Sequence, residues 1–75
     1  MVTNDYYIQI STWGSDTPNI IDADTMENAE LGLNYLNPED FDYLCEADCI
    51  HDAEEFYFEE QRRSIFDAYA EQFHY

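Results

Sequence analysis

The sequence predicts a small α+β domain: an N-terminal β-strand or hairpin packed by two or three helices, the C-terminal helix the longest. Three observations carry this expectation. Residues 5–13 alternate in the manner of a half-buried strand. Turn and helix-start residues then punctuate the chain at 14–18, 24–27, 37–40 and 52–55. Finally, the apolar residues from Phe58 to Phe73 recur at helical spacing. With 75 residues and no Gly/Ser linker, the chain reads as a single acidic domain spanning 1–75. Its 17% aromatic content helps so short a chain to build a core.

In DYYIQISTW (5–13), Tyr6, Ile8, Ile10 and Thr12 fall on one face and Tyr7, Gln9, Ser11 and Trp13 on the other. The β-branched and aromatic content supports a strand. GSDTP (14–18) supplies turn chemistry, and Asn19–Asp22, with Ile20 and Ile21, suits a short returning strand. A two-stranded hairpin is marginal alone and needs helices, a third strand or a partner subunit. Asp24 with Glu27 has capping-box spacing and predicts a first helix to Tyr35 or Leu36, with Met26, Ala29, Leu33 and Leu36 inward. Asn37-Pro38-Glu39-Asp40 offers an N-cap, a proline at the first helical position and acids in the first turn. It predicts a second helix over 38–46 with Phe41, Leu44 and Cys45 inward. Asp52 with Glu55 opens the longest helix, to Phe73, with a stripe of Phe58, Ile65, Phe66, Tyr69 and Phe73. Arg62 falls inside that stripe and must snorkel or pair with a buried acid. Phe56 and Tyr57 fall off it, so EEFYFEE (54–60) also fits an alternating strand; helix is favoured.

The charge is strongly one-sided: 18 Asp and Glu against two basic residues, a formal net charge of −16. Such a balance belongs to disordered acidic tails, yet 45% of the residues are hydrophobic. A folded body with an anionic coat is expected. The coat is uneven: residues 1–21 hold only Asp5 and Asp16. The segment 39–60 holds Glu39, Asp40, Asp42, Glu46, Asp48, Asp52, Glu54, Glu55, Glu59 and Glu60. On helices, Glu39, Asp42 and Glu46 would share one face, and Asp48, Asp52, Glu55 and Glu59 another. Carboxylates at i and i+4 sit about 6 Å apart and cost a few tenths of a kcal/mol per like-charged pair. B-DNA carries one charge per roughly 1.7 Å of axis, and two adjacent acidic helices would imitate a short length of it.

In size, charge and the acidic segment 39–60, the chain resembles the small acidic DNA-mimic proteins of phages and mobile elements. The host-takeover proteins of Bacillus phages, an inhibitor of the nucleoid protein HU among them, are similar in size and style. The resemblance implies a protein that occupies the basic DNA-binding surface of a bacterial DNA-binding protein and blocks DNA by competition. HU is the first target it suggests, and a restriction or CRISPR effector the next. Asp52, Glu55 and Glu59 would be central, Asp42 and Glu46 flanking, with an apolar contact at Phe56 or Tyr57 for specificity. Two alternatives remain open at this point: a phage regulator that binds host RNA polymerase or another protein without mimicry, and an acidic coat serving solubility alone.

Other chemistry finds little footing. An anionic membrane or a nucleic acid would repel the chain, so neither is an expected direct partner. No apolar run is long enough to span a bilayer and no signal peptide is visible, which points to the cytoplasm, of the host cell if phage-encoded. Cys45 and Cys49 then read as reduced thiols that an intrahelical disulfide would strain. With His51 and His74 they lack a zinc-site spacing, and Asp22, Asp24 and Glu27 lack the glycine and distal glutamate of a calcium loop. The negative field opposes thiolate formation at either cysteine, and there is no phosphate loop and no lysine. No enzyme, cofactor or metal is expected. An unsatisfied strand edge makes a homodimer reasonable.

Overall fold

A computed structural model of the chain describes the backbone of residues 2–72 and the side-chain surroundings of residues 2–63. Three antiparallel strands, β1 (Asn4–Gln9), β2 (Ile20–Asp22) and β3 (Phe41–Ala47), form one sheet in the order β2-β1-β3. Two helices complete the domain: α1 (Ala23–Glu30), and α2 (Ile50–Gln72), the longest element. The expected α+β class holds, with the C-terminal helix longest. At 1.5 Å per residue α2 is about 35 Å long, and the molecule measures 53 × 30 × 18 Å.

β1 ends at Gln9, before the alternation in the sequence does. The Thr12 hydroxyl donates to the Gln9 carbonyl at 2.7 Å and accepts from the Asn19 backbone N–H at 3.0 Å. These bonds hold Ile10–Thr12 in a 3₁₀ turn, so Ile10 and Trp13 leave the sheet half exposed. β2 returns as expected, pairing Ile8 with Ile20 and Tyr6 with Asp22.

The first helix is shorter than expected at its far end and starts sooner. Asp22, not Asp24, is its N-cap: the Asp22 carboxylate accepts from the Thr25 N–H at 2.8 Å. The Thr25 hydroxyl, and then that backbone bond, hold the Asp22 carboxyl below the usual carboxylate range. The helix stops at Glu30 because Gly32 takes φ +74°. The Gly32 N–H donates to the Ala29 carbonyl at 3.1 Å and the Leu33 N–H to the Asn28 carbonyl at 2.8 Å, the paired bonds of a Schellman stop. Leu33 and Tyr35 are exposed as a result, and Leu36 is half-buried.

The second expected helix, 38–46, is overturned. The Asn37-Pro38 signal produces one 3₁₀ turn, with the Asn37 side chain accepting from the Glu39 N–H at 3.1 Å. Phe41 then enters β3. Its pairing with β1 shifts by one residue between Tyr6, opposite Cys45, and Tyr7, opposite Tyr43, leaving Leu44 as the extra residue of a bulge. The bulge puts Leu44 and Cys45 into the core together and breaks strict alternation. Cys45 and Cys49 therefore share no helix: Cys45 is buried in β3, and Cys49 is exposed in the turn before α2.

α2 resolves 54–60 as helix, but with a different inner face from the expected one. Ala53 and Tyr57 are fully buried, joining Tyr6, Ile8, Leu44 and Cys45 in one core cluster, with Ile20 and Ala47 against it. Phe58 and Arg62, both expected on the inner stripe, are exposed, and no acid is buried among the described residues for Arg62 to pair with. Ala53 is small enough to bring the helix close to the sheet, and Tyr57, one turn on, fills the space beyond it. The expected stripe residues Ile65, Phe66 and Tyr69 lie outside the described side chains, and Phe73 and His74 outside the described residues.

Candidate functional site

Tyr57 ties α2 to the 10–17 loop and thereby sets where the acidic segment stands. The Gly14 N–H donates to its hydroxyl oxygen at 2.8 Å, and the hydroxyl donates to the Ser15 carbonyl at 2.7 Å. Its ring meets Trp13 edge-on, centroids 5.4 Å apart. Tyr57 is thus a core residue rather than the partner contact expected of it. Phe56, its neighbour, is 38% exposed and stays available for such a contact.

The ten acids of 39–60 stand on three kinds of backbone. Glu39 and Asp40 lie on the 3₁₀ turn, Asp42 and Glu46 on β3, and Asp48 in the turn before α2. Asp52, Glu54, Glu55, Glu59 and Glu60 lie on α2. The proposed helical face of Glu39, Asp42 and Glu46 does not exist, and Asp48 precedes the helix that carries Asp52. What the structure preserves is exposure. Nine of these acids are exposed, Glu60 is half-buried, and no described charged residue is buried.

On α2, about 100° per residue puts Glu55 and Glu59 roughly opposite the buried Ala53–Tyr57 line. Asp52 lies about 120° round from that line and Glu54 about 80° on its other side. Glu60 falls only about 40° away, where Arg63 approaches it at 3.7 Å, the one ion pair among the described residues. Both side chains face water, so the pair stabilises little. Arg62 shares the outward face with Glu55 and Glu59, and the two arginines close the acidic stretch at its C-terminal end.

β3 recruits an acid that the sequence places in its sparsely charged start. Asp5 lies directly across from Glu46 in the β1–β3 ladder. Like charges in that position repel. The Thr3 hydroxyl donates to the Glu46 carboxylate at 2.7 Å, and the Tyr43 hydroxyl to Asp5 at 3.4 Å. Partial loss of hydration, and then the Asp5 charge, push the Tyr43 phenol above its ordinary value. Only the strand pairing identifies Asp5 as part of this surface; nothing in the linear sequence marks it.

Among the described residues no group of three or more His, Cys, Asp or Glu side chains is placed to hold a metal ion. Asp22, read beside Asp24 and Glu27 in the sequence, is occupied as a helix cap. Burial pushes the Cys45 thiol up, away from thiolate chemistry. No described helix is long and apolar enough to cross a membrane. No protein-family model matches the chain, and neither a curated protein nor a solved structure shows significant similarity to it.

Proposed function

We propose that this protein is a polyanion mimic that occupies the basic DNA-binding surface of a bacterial DNA-binding protein and excludes DNA by competition. HU is the first candidate target, and a restriction or CRISPR effector the next. The observation that carries this reading is the exposure of Asp42, Glu46, Asp48, Asp52, Glu54, Glu55 and Glu59 on a folded α+β body. None of the seven has an ion-pair partner among the described residues. A charge layer serving the protein's own stability would be interleaved with lysine and arginine, and this one is not. The scaffold differs from two parallel acidic helices: the carboxylates run along a strand edge, around a turn and up one helix. Such a surface associates quickly with a basic groove and loses affinity as salt rises.

The test is competition. With the captured target immobilised, excess duplex DNA should displace this protein, and Asp52→Lys with Glu55→Lys should weaken inhibition of DNA binding at least about tenfold, ~1.4 kcal/mol. A complex that ignores excess DNA speaks for a partner bound without mimicry. Unchanged inhibition by the double variant would place the contact elsewhere.

A further inference from the structure

Where β1 gives way to the Ile10–Thr12 turn, a cavity of about 440 Å³ opens beside β3, lined by Ile8, Ile10, Trp13, Asp42 and Tyr43. Its volume lies within the roughly 300–1,000 Å³ of ordinary ligand pockets. Ile8 is buried and forms apolar lining, whereas Ile10, Trp13 and Tyr43 are 53%, 52% and 49% exposed. The indole packs against the core on one side, where Tyr57 meets it edge-on at an interplanar angle of 86°. Asp42 is oriented too: one carboxylate oxygen accepts from the Tyr43 N–H at 2.9 Å. Among the described residues no cation sits on that carboxylate.

We propose that this cavity seats an arginine side chain of the basic protein partner. The inference rests on the partner being a basic protein, as proposed above. A guanidinium is planar and weakly hydrated; it stacks on an aromatic face and binds a carboxylate through its N–H fork. Trp13 and Asp42 supply those two surfaces, and Ile8 and Ile10 supply apolar lining for the methylene stem. A phosphate-reading arginine is what a DNA-binding groove presents to a polyanion. One such arginine, gripped by an indole as well as a carboxylate, gives this protein a contact that a bare array of acids lacks. It also accounts for a half-exposed indole lining the same cavity as an acid that has no ion-pair partner among the described residues.

The chain has a single tryptophan, so its emission reports on the cavity directly. The probe is N-acetyl-arginine amide, with N-acetyl-citrulline amide as the uncharged isostere, at constant ionic strength. Arginine amide should change Trp13 emission saturably and shift amide resonances confined to residues 8–13 and 42–43. Asp42→Asn should weaken it about fivefold or more, while the removal of an exposed charge outside the cavity lining in Glu30→Gln should leave it within about twofold. The proposal is overturned by equal effects of citrulline amide, by a response that never saturates, or by equal losses in the two variants. It is likewise overturned if emission changes with protein concentration alone and Arg62→Gln with Arg63→Gln abolishes that change, which would place the chain's own arginines in the cavity. Neither DNA nor the partner is present, so failure here is distinct from failure of the competition test.

Discussion

Removing one oxygen atom, in Tyr57→Phe, tests whether α2 and the 10–17 loop are joined as described. The ring keeps its edge-on contacts with Trp13 and Phe58, at 5.4 and 5.1 Å, so the packing of Tyr57 is unchanged. Two short hydrogen bonds are lost, from the Gly14 N–H and to the Ser15 carbonyl. Each such bond contributes about 0.5–1.5 kcal/mol net. The Gly14 N–H is at an exposed position and can turn to water, whereas Ser15 is half-buried. Together these give an expected loss of about 1–2.5 kcal/mol. With an m-value on the order of 1 kcal/mol/M for a domain this small, the urea midpoint should fall by about 1–2.5 M at unchanged m. Far-UV circular dichroism follows the transition, and native Trp13 emission should be retained because its ring partner remains. A loss below about 0.3 kcal/mol would refute the idea that this hydroxyl clasps the loop to the helix. A loss of native Trp13 emission would show that the ring, not the hydroxyl, had been disturbed.

Asp22→Ala should destabilise the domain by about 1 kcal/mol near neutral pH, the usual worth of an N-cap. Its folded pKa is held below the unfolded value of about 3.9, so the cap's charge-dependent stability is fully present above that value and is lost as pH falls through the folded pKa. Urea midpoints of the wild-type and variant proteins should therefore converge in acid, and a constant gap would refute this. Gly32→Ala meets no atom within 4 Å of the new Cβ, so only the left-handed backbone resists it, at about 1–2 kcal/mol; a larger loss would mean a contact the structure does not contain. A thiol reagent should label exposed Cys49 at once and buried Cys45 only as the domain opens. Single-phase labelling of both cysteines would contradict the burial of β3.

The fold class, the β1–β2 hairpin and the long last helix were legible because period-2 alternation and helix-start residues are local. The third strand was not, and the reason is specific. The bulge at Leu44 makes Phe41, Leu44 and Cys45 the buried residues of β3, a spacing of i, i+3 and i+4. That is the signature of a helix face. The inward residues of 38–46 were therefore identified correctly and assigned to the wrong element. Asn37-Pro38 reinforced the error by starting a real but single 3₁₀ turn. The stop at Gly32, by contrast, was in plain sight: a glycine just past a helix end is a common stop signal. The inner face of α2 was displaced because Ala53 carries too little hydrophobicity to mark a stripe, yet its small size is what lets Tyr57 reach the loop.

The candidate site divides along the same line. Exposure of the acids follows from charge alone, since an unpaired carboxylate is costly to bury, and it was legible without knowing the elements. Which acids stand together depends on pairing across the sheet, which no local pattern records; Asp5 opposite Glu46 is the instance. This division bears on how charge variants are interpreted. The acids rest on a core made of Tyr6, Ile8, Leu44, Cys45, Ala53 and Tyr57, to which their carboxylates contribute no buried contact. Neutralising Glu55 or Glu59, which lie beyond the first turn of α2, removes repulsion from an already polyanionic surface and leaves that core intact. Such variants should unfold at equal or higher urea concentration than the wild type. A loss of partner binding in a variant that is at least as stable is then attributable to the charge pattern, because no loss of folding accompanies it.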